Sequence, residues 1–143
     1  MIRQGSLAEA LSVASTIPEF YDVESMQDLS ARLHGRRHLI LVAEVNNSVQ
    51  GFMIAYERDP NVLLGYLCGV DPASRRLGIA TSLLSQMSQW AQSEQFDAVE
   101  MRTSNGFTNM IQFLLSQGFY ISELKKKSVP SDHRVYLSMP ISY

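Results

Sequence analysis

One segment of the chain constrains the fold more than any other: an apolar strand that leads through a short turn into a regular helix. The run Val62–Val70 is almost wholly apolar, which is typical of a strand buried on both faces. Asp71 and Pro72 then turn the chain. Over Ile79–Ala91 apolar residues recur every three or four positions, which predicts an amphipathic helix. This order indicates an α/β layered domain.

The segments on either side predict further helices and strands, in an order that completes one mixed sheet. Capping residues and helical apolar spacing predict the helices, and short β-branched runs predict the strands. The predicted helices are Ser6–Thr16, Val23–Leu33 and Thr108–Gln117. The predicted strands are a hairpin of His38–Val45 and Val49–Tyr56, then Ala98–Thr103, Phe119–Lys125 and His133–Met139. No repeat or linker divides the sequence, so we interpret residues 1–143 as a single domain.

The amino-acid composition limits which partners and which cellular compartment we expect for this protein. Lys and Arg total 12 against 14 Asp and Glu, and they are scattered, which argues against nucleic acid because that binding neutralises many phosphates. The single cysteine, Cys68, offers no thiol pair and the three histidines lack ligand spacing, so we expect no metal. No apolar run approaches the ~20 residues of a membrane helix, and the amino terminus lacks a signal-peptide pattern. We therefore expect a cytoplasmic protein with no membrane partner.

The turn between the apolar strand and the regular helix has the features of an anion-binding loop. Arg75, Gly78 and Ala80 form an Arg-x-x-Gly-x-Ala pattern at the helix entrance. Unpaired N–H groups and the positive end of the helix dipole converge there, and small residues let a phosphate approach the backbone. A pyrophosphate would fit this loop. The simpler interpretation is a tight turn in which Gly78 serves packing and the arginines are solvated.

The same residues resemble the acetyl-CoA-binding signature of the GNAT superfamily of N-acyltransferases. That signature is Val-x-Pro-x-x-Arg-x-x-Gly-x-Gly/Ala followed by a Leu-Leu helix. The matching residues are Val70, Pro72, Arg75, Gly78, Ala80, Leu83 and Leu84. Asn109–Phe119 resembles the superfamily's later helix, which ends in a Gly-Phe pair. The resemblance implies a single-domain α/β fold with a mixed, mostly antiparallel, splayed sheet flanked by helices.

The resemblance also implies how acetyl-CoA, the co-substrate, is bound and used. The strand residues that would pair through their backbone with the pantetheine arm are Leu67, Cys68, Gly69 and Val70. The loop residues that would wrap the pyrophosphate are Arg75, Arg76, Leu77, Gly78, Ile79, Ala80 and Thr81. Asn105 or Asn109 would reach the pantetheine from the other side. The implied reaction is acetyl transfer to a primary amine on a small molecule or a protein.

Two departures from the family pattern leave the catalytic groups open. Leu114 replaces the tyrosine that many members use to protonate the departing thiolate, and Leu64 stands where some members carry a catalytic glutamate. A base is still needed, because an amine must lose a proton before it attacks. The candidates are Glu57, at the end of the second hairpin strand, Glu19, in the connection Pro18–Tyr21, and Tyr66, which could orient a water or donate a proton.

Each candidate catalytic residue also has a purely structural interpretation, and the protein as a whole has a non-enzymatic one. Both glutamates are expected to face the open side of the sheet, but either could only cap a neighbouring element, and Tyr66 could be core. The protein could also be an acyl-CoA-binding module without turnover. A nucleotide-binding protein is disfavoured because no Gly-x-Gly-x-x-Gly or Gly-Lys-Ser/Thr motif is present. Ile17–Gly35 should shape the acceptor pocket, but its sequence does not identify the amine. A homodimer is possible because sheet edges can pair.

Overall fold

The computed structural model describes residues 1–20 and 22–143, which form seven strands and four α-helices. The strands are β1 Ile2–Gln4, β2 His38–Val45, β3 Ser48–Asp59, β4 Val62–Val70, β5 Ala98–Ser104, β6 Tyr120–Lys125 and β7 Arg134–Pro140. The helices are α1 Leu7–Ala14, α2 Met26–Leu33, α3 Ile79–Ser93 and α4 Thr108–Ser116. One sheet has the order β1-β2-β3-β4-β5-β7-β6, and its pairs are antiparallel except that of β4 with β5. The predicted fold class is confirmed.

The first two helices are shorter than predicted: α1 begins after its predicted cap and ends two residues early, at Ala14, whereas α2 begins late because Ser25 caps it. Ser6 accepts a hydrogen bond from the N–H of Glu9 at the start of α1, and Ser25 accepts one from the N–H of Asp28 at the start of α2. The chain before Ser25 is therefore a loop rather than helix. The sequence does not predict β1, because three residues are too few to show an alternating pattern.

Turns in the left-handed region fix the register of the sheet and the ends of two helices. Asn46 and Asn47 have φ of 53° and 64°, the conformation that a two-residue hairpin between β2 and β3 requires. Gly35 after α2 and Gly118 after α4 have φ of 75° and 98°. Glycine adopts these angles without the steric cost of a Cβ, so each residue ends its helix at no conformational cost.

Helices on both faces of the sheet create two hydrophobic cores. On one face, here called the α3 face, α3 and α4 pack on residues such as Met53, Leu63 and Met101. On the other, here called the α1 face, α1 and α2 pack on residues such as Phe52 and Tyr66. No helix within the described residues is long and apolar enough to cross a bilayer.

The sheet splits between its two halves, because β4 and β5 pair over only part of their length. Their parallel pairing runs from Val62 with Ala98 to Gly65 with Met101. Beyond that point β4 continues beside β3 to Val70, and β5 continues beside β7 to Ser104. The strands therefore diverge into an opening whose apex lies just after Gly65 and Met101.

Two local features place the apex of the opening. A Cβ at Gly65 would lie 2.2 Å from Met101 Sδ, so glycine is what allows the two strands to approach there. The next residue, Tyr66, is unpaired in the register with β3, which passes from Ala55 with Gly65 to Ile54 with Leu67. Such a bulge bends a strand and increases its twist, which turns the rest of β4 away from β5.

The opening corrects one prediction about β4. The sequence predicts that the whole strand is buried on both faces, but only its first half is fully buried. Residues from Leu67 to Val70 are partly exposed, because they border the opening instead of a neighbouring strand. An apolar run therefore marks both the buried half of the strand and the wall of the cleft.

The contact at the apex predicts that Gly65→Ala destabilises the protein. The added methyl group would displace the buried Met101 side chain, and overpacking of this kind costs about 1 to 3 kcal/mol. Denaturant unfolding would measure the loss. In a double-mutant cycle, Gly65→Ala combined with Met101→Ala should cost less than the sum of the two single changes, and strict additivity would contradict the contact.

Candidate active site

The free edge of β4 forms one wall of the opening. The strand residues predicted to hold a pantetheine arm, Leu67, Cys68, Gly69 and Val70, all lie beyond the last pairing with β5. Their backbone on that side has no strand partner among the described residues. A chain of amides could add to this edge as another strand would, because an unpaired edge presents N–H and C=O groups in a row.

The loop from β4 to α3 is built to leave backbone donors free. Asp71 accepts from the N–H of Ala73 and starts a short 3₁₀ turn, Pro72–Ser74. Arg76 and Gly78 then adopt positive φ of 68° and 76°. At the start of α3 the N–H groups of Ile79, Ala80 and Thr81 have no acceptor within residues 1–20 and 22–143.

Nothing crowds this end of α3. A Cβ added at Gly78 would meet no heavy atom within 4 Å, and Leu77 beside it is 63% exposed. Free N–H groups, the positive end of the α3 dipole and open space in front of them fit an anionic group. The loop residues selected from the sequence, 75–81, are thus brought together on one rim of the opening.

Glu19 lies beside this loop rather than at the apex. The Arg75 guanidinium reaches Glu19 Oε2 at 3.5 Å and the Val70 carbonyl oxygen at 3.3 Å. The same short 3₁₀ helix, Pro18–Phe20, packs its Phe20 ring over Gly69, where a Cβ would lie 2.6 Å from Phe20 Cε2. Of the connection Pro18–Tyr21, Tyr21 lies outside the described residues.

Glu57 does not face the opening, so that expectation is wrong. It pairs with Leu63 in the closed half of the sheet, where β4 is still hydrogen-bonded to β5. Both carboxylate oxygens are occupied: Arg37 donates to each at 3.2 and 3.0 Å, and the N–H of Asn61 donates at 2.8 Å. The hydrogen bonds from Arg37, followed by the one from Asn61, hold the pKa of Glu57 below its usual value. Glu57 therefore links the β3–β4 turn to Arg37, the residue before β2.

Tyr66 stands at the apex and belongs to a polar cluster that the sequence does not reveal. Its side chain points to the α1 face, where its hydroxyl donates to Glu24. Arg32 binds the same carboxylate through both oxygens, at 3.1 and 3.0 Å, and its guanidinium lies 4.5 Å from the centre of the Tyr66 ring. Glu24 precedes α2, in the segment expected to shape the acceptor pocket.

The cluster sets the protonation of its two acidic groups in opposite directions. Burial alone would raise the pKa of Glu24, but hydrogen bonds from Arg32 and Tyr66 outweigh it and leave the pKa below its ordinary value. Burial, helped by the hydrogen bond to Glu24, raises the pKa of Tyr66. At neutral pH the cluster therefore presents an ionised carboxylate and a protonated phenol.

Arg102 on β5 also lies over the Tyr66 ring. Its guanidinium lies 3.9 Å from the centre of the ring, and its Nε is 3.4 Å from the Tyr66 carbonyl oxygen. Glu24, Tyr66 and Arg102 thus line the apex on the α1 face. The fold places these three residues side by side, and no sequence motif links them.

The remaining predicted residues are peripheral or inert. Asn105 donates its side-chain N–H to the Pro130 carbonyl at 3.2 Å, which ties it to the β6–β7 loop, and Asn109 is exposed in the first turn of α4. Burial raises the pKa of the Cys68 thiol to about 12, so it is no nucleophile at neutral pH. Leu64 and Leu114 are each 1% exposed and belong to the two cores. Among the described residues no three candidate metal ligands meet.

Solved structures share this fold. The ribosomal-protein-S18-alanine N-acetyltransferase of Escherichia coli is 16% identical, with a TM-score of 0.83 over 100% of this chain and 94% of that chain. A Bacillus subtilis acetyltransferase in complex with CoA is 14% identical, with a TM-score of 0.79 over 99% and 98%. A GNAT family acetyltransferase of Elizabethkingia anophelis with acetyl-CoA bound is 15% identical, with a TM-score of 0.78 over 98% and 97%.

The sequence itself identifies the family. A comparison with curated protein sequences finds no match. The family model described as the acetyltransferase (GNAT) family matches residues 7–119, which extend from α1 through α4 to the Gly-Phe pair. The match covers most of the chain and includes the strand, the loop and the helix that border the opening. The chain therefore belongs to the GNAT acetyltransferase family, as its strand-to-helix loop predicts.

Proposed function

We propose that the protein transfers the acetyl group of acetyl-CoA to a primary amine by direct attack on the thioester. The observation that carries this proposal is the opening itself. Within the residues that the structure describes, one wall is a free strand edge and three N–H groups at the rim have no acceptor. Similar proteins from Bacillus subtilis and Elizabethkingia anophelis were crystallised with CoA and acetyl-CoA respectively. Family membership supports acetyl transfer in general.

Acetyl-CoA would bind along the α3 side of the opening. The backbone of residues 67–70 would pair with the amides of the pantetheine arm, and the N–H groups of residues 79–81 would bind the pyrophosphate. Gly78 leaves the space that a phosphate needs. Asn109, exposed at the start of α4, is the better placed of the two asparagines for a contact, since Asn105 is held by Pro130.

The amine would arrive from the α1 face, where Glu24 and Tyr66 line the apex. Nitrogen attack forms a C–N bond, the C–S bond of the thioester breaks, the amine loses a proton and CoA leaves as its thiol. We assign Glu24 to attract the ammonium and pass its proton to solvent, because its carboxylate stays ionised at neutral pH. Glu19 is a weaker candidate because it faces Arg75 on the rim.

Tyr66 is the group best suited to return a proton to the sulfur. Its raised pKa keeps the phenol protonated, and it stands where β4 and β5 separate. A thiol has an unperturbed pKa near ~8.5, so its thiolate departs at neutral pH with little help. Turnover therefore does not need the tyrosine that Leu114 replaces.

The alternative function is an acyl-CoA-binding module without turnover. Leu64 and Leu114, at positions where the resemblance implies catalytic groups, are the observations that favour it. Release of CoA across a panel of amines separates the two functions. A module would bind acetyl-CoA and release no CoA with any amine.

We expect acetyl-CoA to stabilise the folded protein, because a ligand bound only by the native state adds RT ln(1 + [L]/Kd) to the free energy of unfolding. At ~100 times Kd the gain is about 2.7 kcal/mol. Thermal unfolding with and without millimolar acetyl-CoA would measure it. An unchanged melting temperature would remove the basis of the proposal.

We expect Gly78→Val to abolish acetyl-CoA binding with a modest loss of stability. Valine would fill the open space before α3, and a left-handed β-branched residue costs about 1 to 2 kcal/mol. Calorimetric titration measures binding, and thermal unfolding shows that the variant is folded. Arg75→Ala should bind only somewhat more weakly, because its side chain contacts Val70 and Glu19. Normal binding by folded Gly78→Val would show that the loop does not hold the phosphates.

We expect Glu24→Gln to lower kcat/KM by about 100-fold at neutral pH, the effect of losing a general base. The loss should shrink as pH approaches the pKa of the amine, near ~10, because the amine then deprotonates without help. Glu57→Gln and Glu19→Gln are matched controls that should stay close to wild type. A larger, pH-dependent loss in Glu19→Gln, or wild-type rates for Glu24→Gln at every pH, would exclude Glu24 as the base.

A further inference from the structure

The guanidinium of Arg102 is a partly buried cation without a carboxylate partner. It contacts the ring and the carbonyl oxygen of Tyr66, both uncharged groups. No carboxylate among residues 1–20 and 22–143 comes within ion-pair distance of it. Removing a cation from water is unfavourable unless an anion compensates it, and here the compensation is incomplete: the Glu24 carboxylate, whose pKa Arg102 helps to lower, forms its ion pair with Arg32 instead.

Arg134 on β7 adds a second cation of the same kind. Arg102 pairs in register with Tyr136, which puts Arg134 two residues farther along β7 on the same face, diagonal to Arg102. Arg134 is likewise half-buried and has no ion pair in the part of the chain that the structure describes. Lys125 of β6 stands directly opposite it, so like charges are placed together where they repel.

The other half-buried arginines show that pairing is the rule in this protein. Each of them contacts at least one glutamate within 3.0 Å: Arg3 with Glu9 and Glu44, Arg32 with Glu24, Arg37 with Glu57, and Arg58 with Glu100. Arg102 and Arg134 are the two half-buried arginines without such a contact in the described chain. They also stand next to each other, on the neighbouring strands β5 and β7.

A depression beside Arg134 gives a ligand access to this cation. Its volume is about 840 Å³, and Ser104 at the end of β5 and the β6–β7 loop residues Lys126 and Lys127 share its lining with Arg134. Asp132 is the acidic residue in that lining. The depression therefore presents three cationic side chains to a ligand, those of Lys126, Lys127 and Arg134.

We infer that the acetyl acceptor is an amine that also carries a carboxylate, and that Arg102 and Arg134 bind this carboxylate. The inference rests on the proposed function and names its substrate class. Glu24 accepts a hydrogen bond from the Tyr66 hydroxyl and Arg102 lies over the Tyr66 ring, so a carboxylate and a cation stand beside the same residue and suit an acceptor that has an ammonium and a carboxylate. Guanidinium groups suit carboxylates because they donate two parallel hydrogen bonds.

The phosphates of the co-substrate are a less suitable counter-charge. Their proposed site is the start of α3, whose first residue Ile79 packs into the α3-face core. Arg102 lies against Tyr66, which belongs to the α1-face core. The two cations therefore serve the side of the opening from which the acceptor comes.

Matched acceptors test the inference. Acetyl transfer is measured as kcat/KM for glycine, β-alanine and 4-aminobutyrate, each against its carboxamide, and for short peptides with Asp or Asn after the reacting residue. The free acids and the peptides distinguish a small-molecule from a polypeptide source of the carboxylate. The variants are Arg134→Gln, Arg134→Lys and Arg102→Gln, with the exposed Arg36→Gln as control. Acid-to-amide ratios are compared between variants, so that differences in amine reactivity cancel.

We expect at least one pair to show an acid-to-amide ratio that falls about 10- to 100-fold in Arg134→Gln and Arg102→Gln, the effect of losing a charged hydrogen bond. Arg134→Lys should restore part of the ratio, and Arg36→Gln should leave it unchanged. Equal ratios in wild type, Arg134→Gln and Arg102→Gln would overturn the inference while transfer to amines still stands. A raised KM for acetyl-CoA in Arg134→Gln, with unchanged ratios, would assign the cations to the co-substrate and also overturn it.

A binding measurement keeps the inference testable if no amine is acetylated, the result that would contradict the proposed function. N-acetyl-β-alanine and its carboxamide are titrated calorimetrically into the protein in the presence of CoA. The acid should bind more tightly than the amide to wild type, and the difference should disappear in Arg134→Gln. Equal affinities for the two compounds in wild type would overturn the carboxylate site.

Discussion

The contact between Gly65 and Met101 is the constraint on which the rest of the structure depends. It lies at the last pair of the short parallel ladder between β4 and β5, and the bulge at Tyr66 is the next residue of β4. If the strands stayed paired, the β4 edge would be used by the protein itself and no cleft would exist. The cleft is therefore lined by backbone groups of β4 that do not pair with β5. The two hydrophobic cores hold the two halves of the sheet apart.

The two sides of the opening differ in chemistry. The side toward α3 offers neutral backbone donors and open space, which suits a long ligand whose anionic groups lie at one end. The side toward α1 offers charged side chains, with Glu24, Arg32 and Arg102 arranged around Tyr66. Two ligands that enter from opposite sides would meet at the apex, and transfer between them would gain mainly from orientation.

Arg32 has a double effect on the proposed base. Its two hydrogen bonds hold Glu24 against Tyr66 and also keep the carboxylate ionised. A carboxylate with a depressed pKa is a weak base, but it attracts an ammonium strongly and never needs to be deprotonated first. The cluster therefore holds an ammonium beside an ionised carboxylate that is ready to accept its proton, which agrees with the role proposed for Glu24.

The sequence by itself determined the parts that depend on local chemistry. Helical spacing, serine caps, left-handed glycines and the Arg-x-x-Gly-x-Ala loop all act within a few residues, so the family and every helix and strand except β1 could be predicted. The same locality explains the expectation about Glu57 that failed. Nothing near Glu57 in the sequence shows that Arg37, 20 positions away, would bind its carboxylate at the closed end of the sheet.

Only the tertiary structure decided which charged groups meet at the apex. Glu24 and Tyr66 are 42 positions apart, and Tyr66 and Arg102 are 36 apart, so their contact follows from strand order and the bulge. The sequence equally does not show that Arg102 and Arg134 form no ion pair within residues 1–20 and 22–143, because that depends on which distant side chains reach them. Sequence patterns predict helices and strands because these depend on residues close together in the chain. A functional site depends on how residues far apart in the sequence pack together.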